Sequence, residues 1–283
     1  MPTPFYHLSI AVQLLEHPAL PDAMARFLNE HACSFLFGNT AADVQVVSGQ
    51  TRQETHFFEM PLRLEAMQPW RQMLFAHPQL ACPQRLPAEQ AAFLAGYLCH
   101  LQADWLWITD IYSPVFGPGR DWGTFPQRLY LHNVLRSYLD RQILLDLAPN
   151  TQDCLASVNP DRWLPFAEDR ALRAWRDLLA PQLLPGAAVQ TVEVFAARQG
   201  ISAAEYYALL DSQERMQREI FSLLSLSEVE AYRQRLIREN LKLLDEYMAG
   251  NLLSPERQPS IAANRGRRQT WQANVEANRY ESD

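Results

Sequence analysis

Lysine is almost missing from this 283-residue chain: Lys242 stands alone, and the rest of its 25 basic residues are arginines. Schiff-base chemistry on a lysine is therefore excluded from most of the sequence. Positive charge as a whole is in deficit, with 32 acids and a net charge of −7. That balance gives no general attraction to nucleic acid or to anionic membranes, so no stable nucleic-acid binding is expected and any phosphate recognition has to come from a local site. No apolar run reaches the roughly 18 residues that a membrane-crossing helix requires. The opening residues, MPTPFYHLSIAVQLLEHPALP, lack the basic stretch, apolar run and small-residue cleavage site of a signal peptide. The four cysteines, Cys33, Cys82, Cys99 and Cys154, form neither a CxxC pair nor the pattern of a secreted disulfide scaffold. Together these absences point to a reducing cytoplasm.

Apolar residues are plentiful instead, at 48% hydrophobic and 11% aromatic, enough to bury a large core. Their spacing is helical throughout, with little of the period-two alternation of strands, and predicts an all-α single-domain helical bundle over residues 1–250. Expected helices run from Pro4 to about Glu16, from Asp22 to about Cys33, through QPWRQMLFAHP, from Pro126 to about Leu147, and over 167–183, 187–199, 202–224 and 226–249. The longest apolar-rich segment, residues 87–113, is expected to be the central helix, with Pro87 at its start. Residues 38–61 show neither period and read as a long irregular loop of the kind that often carries function. The polar tail, residues 251–283, lacks a sustained apolar face and is expected to be disordered, its basic run NRGRRQ included.

The central segment contains GYLCHLQADW, which puts His100 and Asp104 four residues apart on one helical face. Such a pair either hydrogen-bonds internally or presents an imidazole and a carboxylate to one divalent ion. Asp43 and His56 in the 38–61 stretch, with His7 in the first helix, would complete a set of ligands suited to zinc. The competing reading makes Asp43 a turn cap, His56 a loop histidine bonded to backbone, and His7 a half-buried helix histidine. Trp105 and Trp107 either line a cleft or pack in the core; Arg52 either meets a phosphate or is a solvated charge. His17 and His77 each precede a proline and read as loop residues.

The segments FYHLSIA, FLFGNTAADVQVVSGQTRQETHFF, AAFLAGYLCHLQADWLW and LHNVLRSYLDRQ together resemble the bacterial zinc-dependent phospholipase C family, in its non-secreted branch. That family is similar in fold to the fungal single-strand-specific zinc nucleases, and the resemblance covers about residues 1–145. It implies that Asp43, His56, His100 and Asp104 surround one zinc. It further implies that His7 serves a neighbouring metal sharing Asp104, and that Asp43 also orients the attacking water. A further metal would draw on His132, but four positions on stands Arg136 where the family has an acid. Asp110 lies near another expected ligand position and would need a bend before Pro114 to reach the cluster. Secreted members also use the free N-terminus of the processed chain as a ligand, an arrangement that His7 lies too near the start to reproduce simply. One zinc site is thus expected, with two or three as the full complement.

The function implied is a zinc-dependent hydrolase of phosphate esters, a phospholipase C-like phosphodiesterase acting on a small phosphate ester or a phospholipid headgroup. Two alternatives stand beside it: a non-catalytic binding or scaffold protein with a structural zinc, and a zinc-dependent single-strand nuclease.

Overall fold

The computed structural model describes residues 1–62, 66–144, 147, 150–184, 187 and 189–253. Its elements are all helical, with no strand among the described residues, as the periodicity predicts. Helix α1 (Pro4–Leu15) begins where the Thr3 hydroxyl accepts a hydrogen bond from the backbone N–H of Tyr6 at 3.3 Å, with Pro4 in its first turn. Helix α2 (Asp22–Glu30) stops at His31, and α3 (Ala32–Ala41) starts a new axis there instead of the chain continuing as one helix to Cys33.

The 38–61 stretch departs from its expected irregularity. Helix α3 passes through a 3-10 turn, Ala42–Val44, into α4 (Gln45–Ser48), and a short α5 follows (Arg52–His56). The physical reason lies in burial and capping. Every residue from Ser34 to Ala41 is buried, so no polar face exists to give a helical period. Helix α5 is nucleated by a capping box: the Thr51 hydroxyl accepts from the Glu54 N–H while the Glu54 carboxylate accepts from the Thr51 N–H at 2.7 Å.

Further along are α6 (Pro69–Ala76) and α7 (Ala88–Trp107), the latter widening into a π-helical segment, Ile108–Phe116, that contains Pro114. Then come α8 (Phe125–Ile143), α9 (Thr151–Ser157), α10 (Asp169–Leu179) and α11 (Thr191–Gln199). The segment expected as one piece over 202–224 is split into α12 (Ala203–Leu210) and α13 (Gln213–Glu219), because Ser212 caps a new start. The last described helix is α14 (Leu226–Met248), opened by a second capping box at Ser225 and Glu228. Most of the tail, including NRGRRQ, lies outside the described residues.

Helix α7 is buried along almost its whole length, as a helix apolar on all faces must be, and α1, α3, α6 and α14 pack around it. The closest approach is to α3, and two glycines make it possible. A Cβ at Gly38 would stand 1.9 Å from the Phe93 carbonyl oxygen, and one at Gly96 would stand 2.2 Å from that of Phe35. The two backbones therefore touch directly, which brings the C-terminal end of α3 within hydrogen-bond reach of α7 side chains. Cross-ties hold the other neighbours: the Tyr232 hydroxyl donates to the Ala103 carbonyl at 3.0 Å, and Trp70 Nε1 donates to Gln102 Oε1 at 2.9 Å.

Cys33 and Cys154 are joined in a disulfide across a separation of 121 residues, a pairing that their spacing did not suggest. Disulfides are rare in a reducing cytoplasm, so these cysteines do not point to one. Among the described residues no helix is long and apolar enough to cross a membrane.

Candidate metal centre

Four elements deliver the polar cluster. Helix α1 supplies His7, the 3-10 turn after α3 supplies Asp43, α5 supplies His56, and α7 supplies His100 and Asp104. His7, His56, His100 and Asp104 are all buried, at 1% exposure or less, and Asp43 is only partly exposed. Helix α5 is pinned by α7 one residue before its histidine, where the Tyr97 hydroxyl donates to the Thr55 carbonyl at 2.5 Å. His7 stacks on His100 with ring centroids 3.8 Å apart.

The ligand atoms converge. His56 Nε2 lies 3.3 Å from His100 Nε2, 3.5 Å from Asp43 Oδ1 and 3.4 Å from Asp104 Oδ2, and His100 Nε2 lies 3.8 Å from Asp104 Oδ2. Nitrogen and oxygen ligands at roughly 2.0–2.2 Å around a tetrahedral ion stand about 3.3–3.6 Å from one another. The cluster is close to that spacing. His7 Nε2 lies 3.4 Å from Asp104 Oδ1, and neither atom has a hydrogen-bond partner although both are buried. Orphaned polar atoms facing each other in this way carry a cost that a shared cation removes. Two overlapping groups, His7 with His100 and Asp104, and Asp43 with His56 and His100, have the geometry to hold a metal ion.

The outer partners suit that chemistry. His100 Nδ1 donates to the Asn39 carbonyl at 2.7 Å, which fixes the tautomer that leaves the Nε2 lone pair bare and aimed at the cluster. Burial holds the His56 and His100 imidazoles below their ordinary pKa, His100 down to about 3 with the help of neighbouring His7. Both are therefore neutral at pH 7, as ligation requires. Burial pushes the carboxylates the other way, but the imidazoles and Arg52 outweigh it at Asp43, and Arg52 leads at Asp104. Both stay below the usual carboxylate range.

Arg52 is not a freely solvated charge. Four residues before His56 on α5, it turns toward the cluster, where its guanidinium bonds to Asp104 and comes within 3.6 Å of Asp43. The sequence signal was present in the capping box TRQE, which predicts a helix start at Thr51 and therefore puts Arg52 and His56 on one face.

The remaining sequence candidates fall elsewhere. Asp110, on the π-helical segment, is held at 2.7 Å by Arg235 of α14. The widening of the helix around it matches the bend that its recruitment needed, but the bend directs it to an arginine. His132 is buried on α8 with its Nε2 accepting from Trp107 Nε1 at 2.9 Å, so Trp107 is a core residue. Neither Asp110 nor His132 belongs to a metal-competent group among the described residues. Arg136 bonds the Met1 carbonyl at 2.9 Å and the Asn133 side chain. His17 and His77 lie outside the cluster, His17 accepting from the Ala19 N–H at 3.1 Å and His77 packing on Phe57 and Phe166.

No family model, no curated protein and no solved structure matches this chain.

Proposed function

We propose that this protein is a metal-dependent hydrolase of phosphate esters, with zinc held by Asp43, His56, His100 and Asp104 and a second ion position served by His7 and the other oxygen of Asp104. One observation carries the reading: two buried imidazole nitrogens and two carboxylates meet at ligand-to-ligand spacing, with His100 oriented from behind by a backbone carbonyl. The resemblance to the zinc-dependent phospholipases C adds the order in which these residues occur. A bound ion would supply Lewis-acid polarisation of a phosphoryl oxygen and an acidified water.

The chain's own residues do the rest. Asp43 is the partly exposed member of the cluster and borders an open cavity, so it is positioned to orient a water against an incoming ester. Arg52, in the same cavity wall, stands ready to take the negative charge of phosphoryl oxygens. The substrate is a small phosphate ester or a phospholipid headgroup.

A second reading, a structural zinc in a non-catalytic binding protein, draws support from Arg136 and from the Arg235 bond to Asp110, which keep His132 and Asp110 out of any metal-competent group among the described residues. The two part company in one experiment. Protein purified without chelator should carry about one or more equivalents of zinc per chain by elemental analysis. It should also hydrolyse bis-nitrophenyl phosphate, a phosphocholine ester or single-stranded DNA, with a loss of at least about 100-fold in His56→Ala and His100→Ala. His17→Ala and His77→Ala should leave the rate unchanged. Zinc without hydrolysis selects the structural reading, and a chain that takes up no zinc removes both.

A further inference from the structure

Beside the cluster lies a cavity of about 430 Å3 whose lining is mixed in character. It carries three arginines, Arg52, Arg136 and Arg198, against a single carboxylate, Asp43. The same lining includes Val46, Leu178 and Val194, three large apolar side chains that are all more than a third exposed. Exposed aliphatic side chains gathered in one cavity mark a place where an apolar group is received.

Arg52 is paired with Asp104 and Asp43, whereas Arg136 and Arg198 form no ion pair among the described residues. Arg136 lies over Phe195, its guanidinium carbon 4.1 Å from the ring centroid, and among the described residues it bonds a carbonyl and an amide oxygen but no carboxylate. Its Nε has no hydrogen-bond partner. Arg198 makes no hydrogen bond or ion pair among the described residues. Burial lowers the pKa of Arg136 to about 10, with the nearby Asp140 acting against it and the like charge of Arg52 adding to it, which leaves Arg136 charged at neutral pH. Asp43 is already engaged by Arg52 and His56, so the cavity has no spare anion for a cationic group. Two like charges facing one cavity are relieved by a ligand that brings negative charge between them.

We propose that this cavity binds the doubly charged head of an amphiphilic phosphate, the phosphoryl oxygens between Arg136 and Arg52 and the apolar substituent against Val46, Leu178 and Val194, in preference to a zwitterionic ester. A singly esterified phosphate carries roughly −1.5 to −2 charges at neutral pH, which is the complement of this wall. The inference rests on the proposed hydrolase reading for what then happens to the ligand. Binding itself depends on the arginines and the apolar wall.

The test therefore uses full-length, chelator-treated protein and calorimetric titration with octyl phosphate, inorganic phosphate and octylphosphocholine. Octyl phosphate should bind at least about tenfold more tightly than either of the others, since it alone offers both an apolar chain and a second negative charge. Arg136→Gln should weaken octyl phosphate by about tenfold or more and leave octylphosphocholine within a factor of about two. Because Arg136 is shielded and its loss can disturb folding, the uncharged variants Leu178→Asn and Val194→Asn are the second arm, and each should weaken octyl phosphate without affecting inorganic phosphate. Equal affinity for octyl phosphate and octylphosphocholine overturns the proposal, as does indifference to both the arginine and the wall variants, or no binding of octyl phosphate. Zinc uptake with no preference for octyl phosphate removes this inference alone. Octyl phosphate binding in a chain that never takes up zinc removes the hydrolase reading and leaves the cavity assignment standing.

Discussion

The guanidinium of Arg52 is bonded to the carboxylate of Asp104, a residue with 1% of its side chain exposed. It thus contributes a positive charge at the point where His7, His56, His100 and Asp43 also converge. A guanidinium and a divalent ion compete for the same two carboxylates, since each neutralises charge that the other would need.

Arg52→Gln should therefore bind zinc at least about tenfold more tightly than the wild type, while its metal-free form loses about 1–3 kcal/mol of stability because a buried carboxylate is left without its cation. Titration calorimetry with zinc and urea denaturation in chelator measure the two effects. Unchanged zinc affinity would mean that Arg52 and the ion do not share the site.

Metal uptake should release almost no protons from His100, and fewer from His56 than an ordinary imidazole would give up. An ordinary imidazole of pKa about 6.5 is roughly three-quarters protonated at pH 6, so two of them would lose about 1.5 protons on binding an ion. Burial lowers the pKa of both side chains here, His100 to about 3, so His100 already enters the reaction neutral and His56 carries less charge than a free imidazole. Zinc calorimetry at pH 6 in two buffers of different ionisation enthalpy counts these protons, with His56→Ala and His100→Ala isolating the share of each. A release near 1.5 assigned to this pair contradicts the burial argument.

Asp140 sets a pH dependence of folding. Burial pushes its carboxyl up to about 7 despite hydrogen bonds from Thr3 and Thr191 and the nearby charge of Arg136. Its folded pKa lies above the unfolded value of about 3.9, so between pH 4 and 7 the folded state holds more protons, and stability falls as pH rises through that window. In Asp140→Asn this contribution to the slope should vanish, and the variant should gain relative to wild type on going from pH 4 to pH 7. Chemical denaturation at several pH values checks it. Parallel stability curves for the two proteins would assign Asp140 an ordinary pKa.

Gly96→Ala should cost about 2–3 kcal/mol, because the added Cβ meets backbone, which cannot turn aside as a side-chain tip can. Separating α3 from α7 also lengthens the bond from His100 to Asn39, so zinc affinity should fall by about tenfold or more even though no ligand has changed. Thermal unfolding and zinc titration report the two losses. A variant with full stability and full affinity would show that the helices do not touch where the glycines meet.

The helical class was legible because amphipathic helices such as α10 repeat apolar residues at helical spacing, and the central helix because its apolar segment is too long for a strand and Pro87 marks its start. The pair His100 and Asp104 was legible for the same reason. What was lost was the 38–61 stretch, where a fully buried segment has no polar face to display a period, and a five-residue helix is too short to show one. The disulfide was hidden because 121 residues separate its cysteines, and only the folded path of α3 and α9 brings them together. The contact of Arg52 with Asp104 was hidden because charge in a polar stretch normally faces water. Its capping box carried the contrary information, and reading that box first would have put Arg52 beside His56.

The oxygen that orients His100 belongs to the main chain of Asn39, so replacing the Asn39 side chain leaves that oxygen where it is. The proton on His100 Nδ1 is therefore under the control of two hydrogen atoms, those that stand in place of side chains at Gly38 and Gly96. A survey of the cluster by alanine substitution would pass over the groups that set its geometry: at Asn39 it would remove the wrong atoms, and at the glycines it would add some.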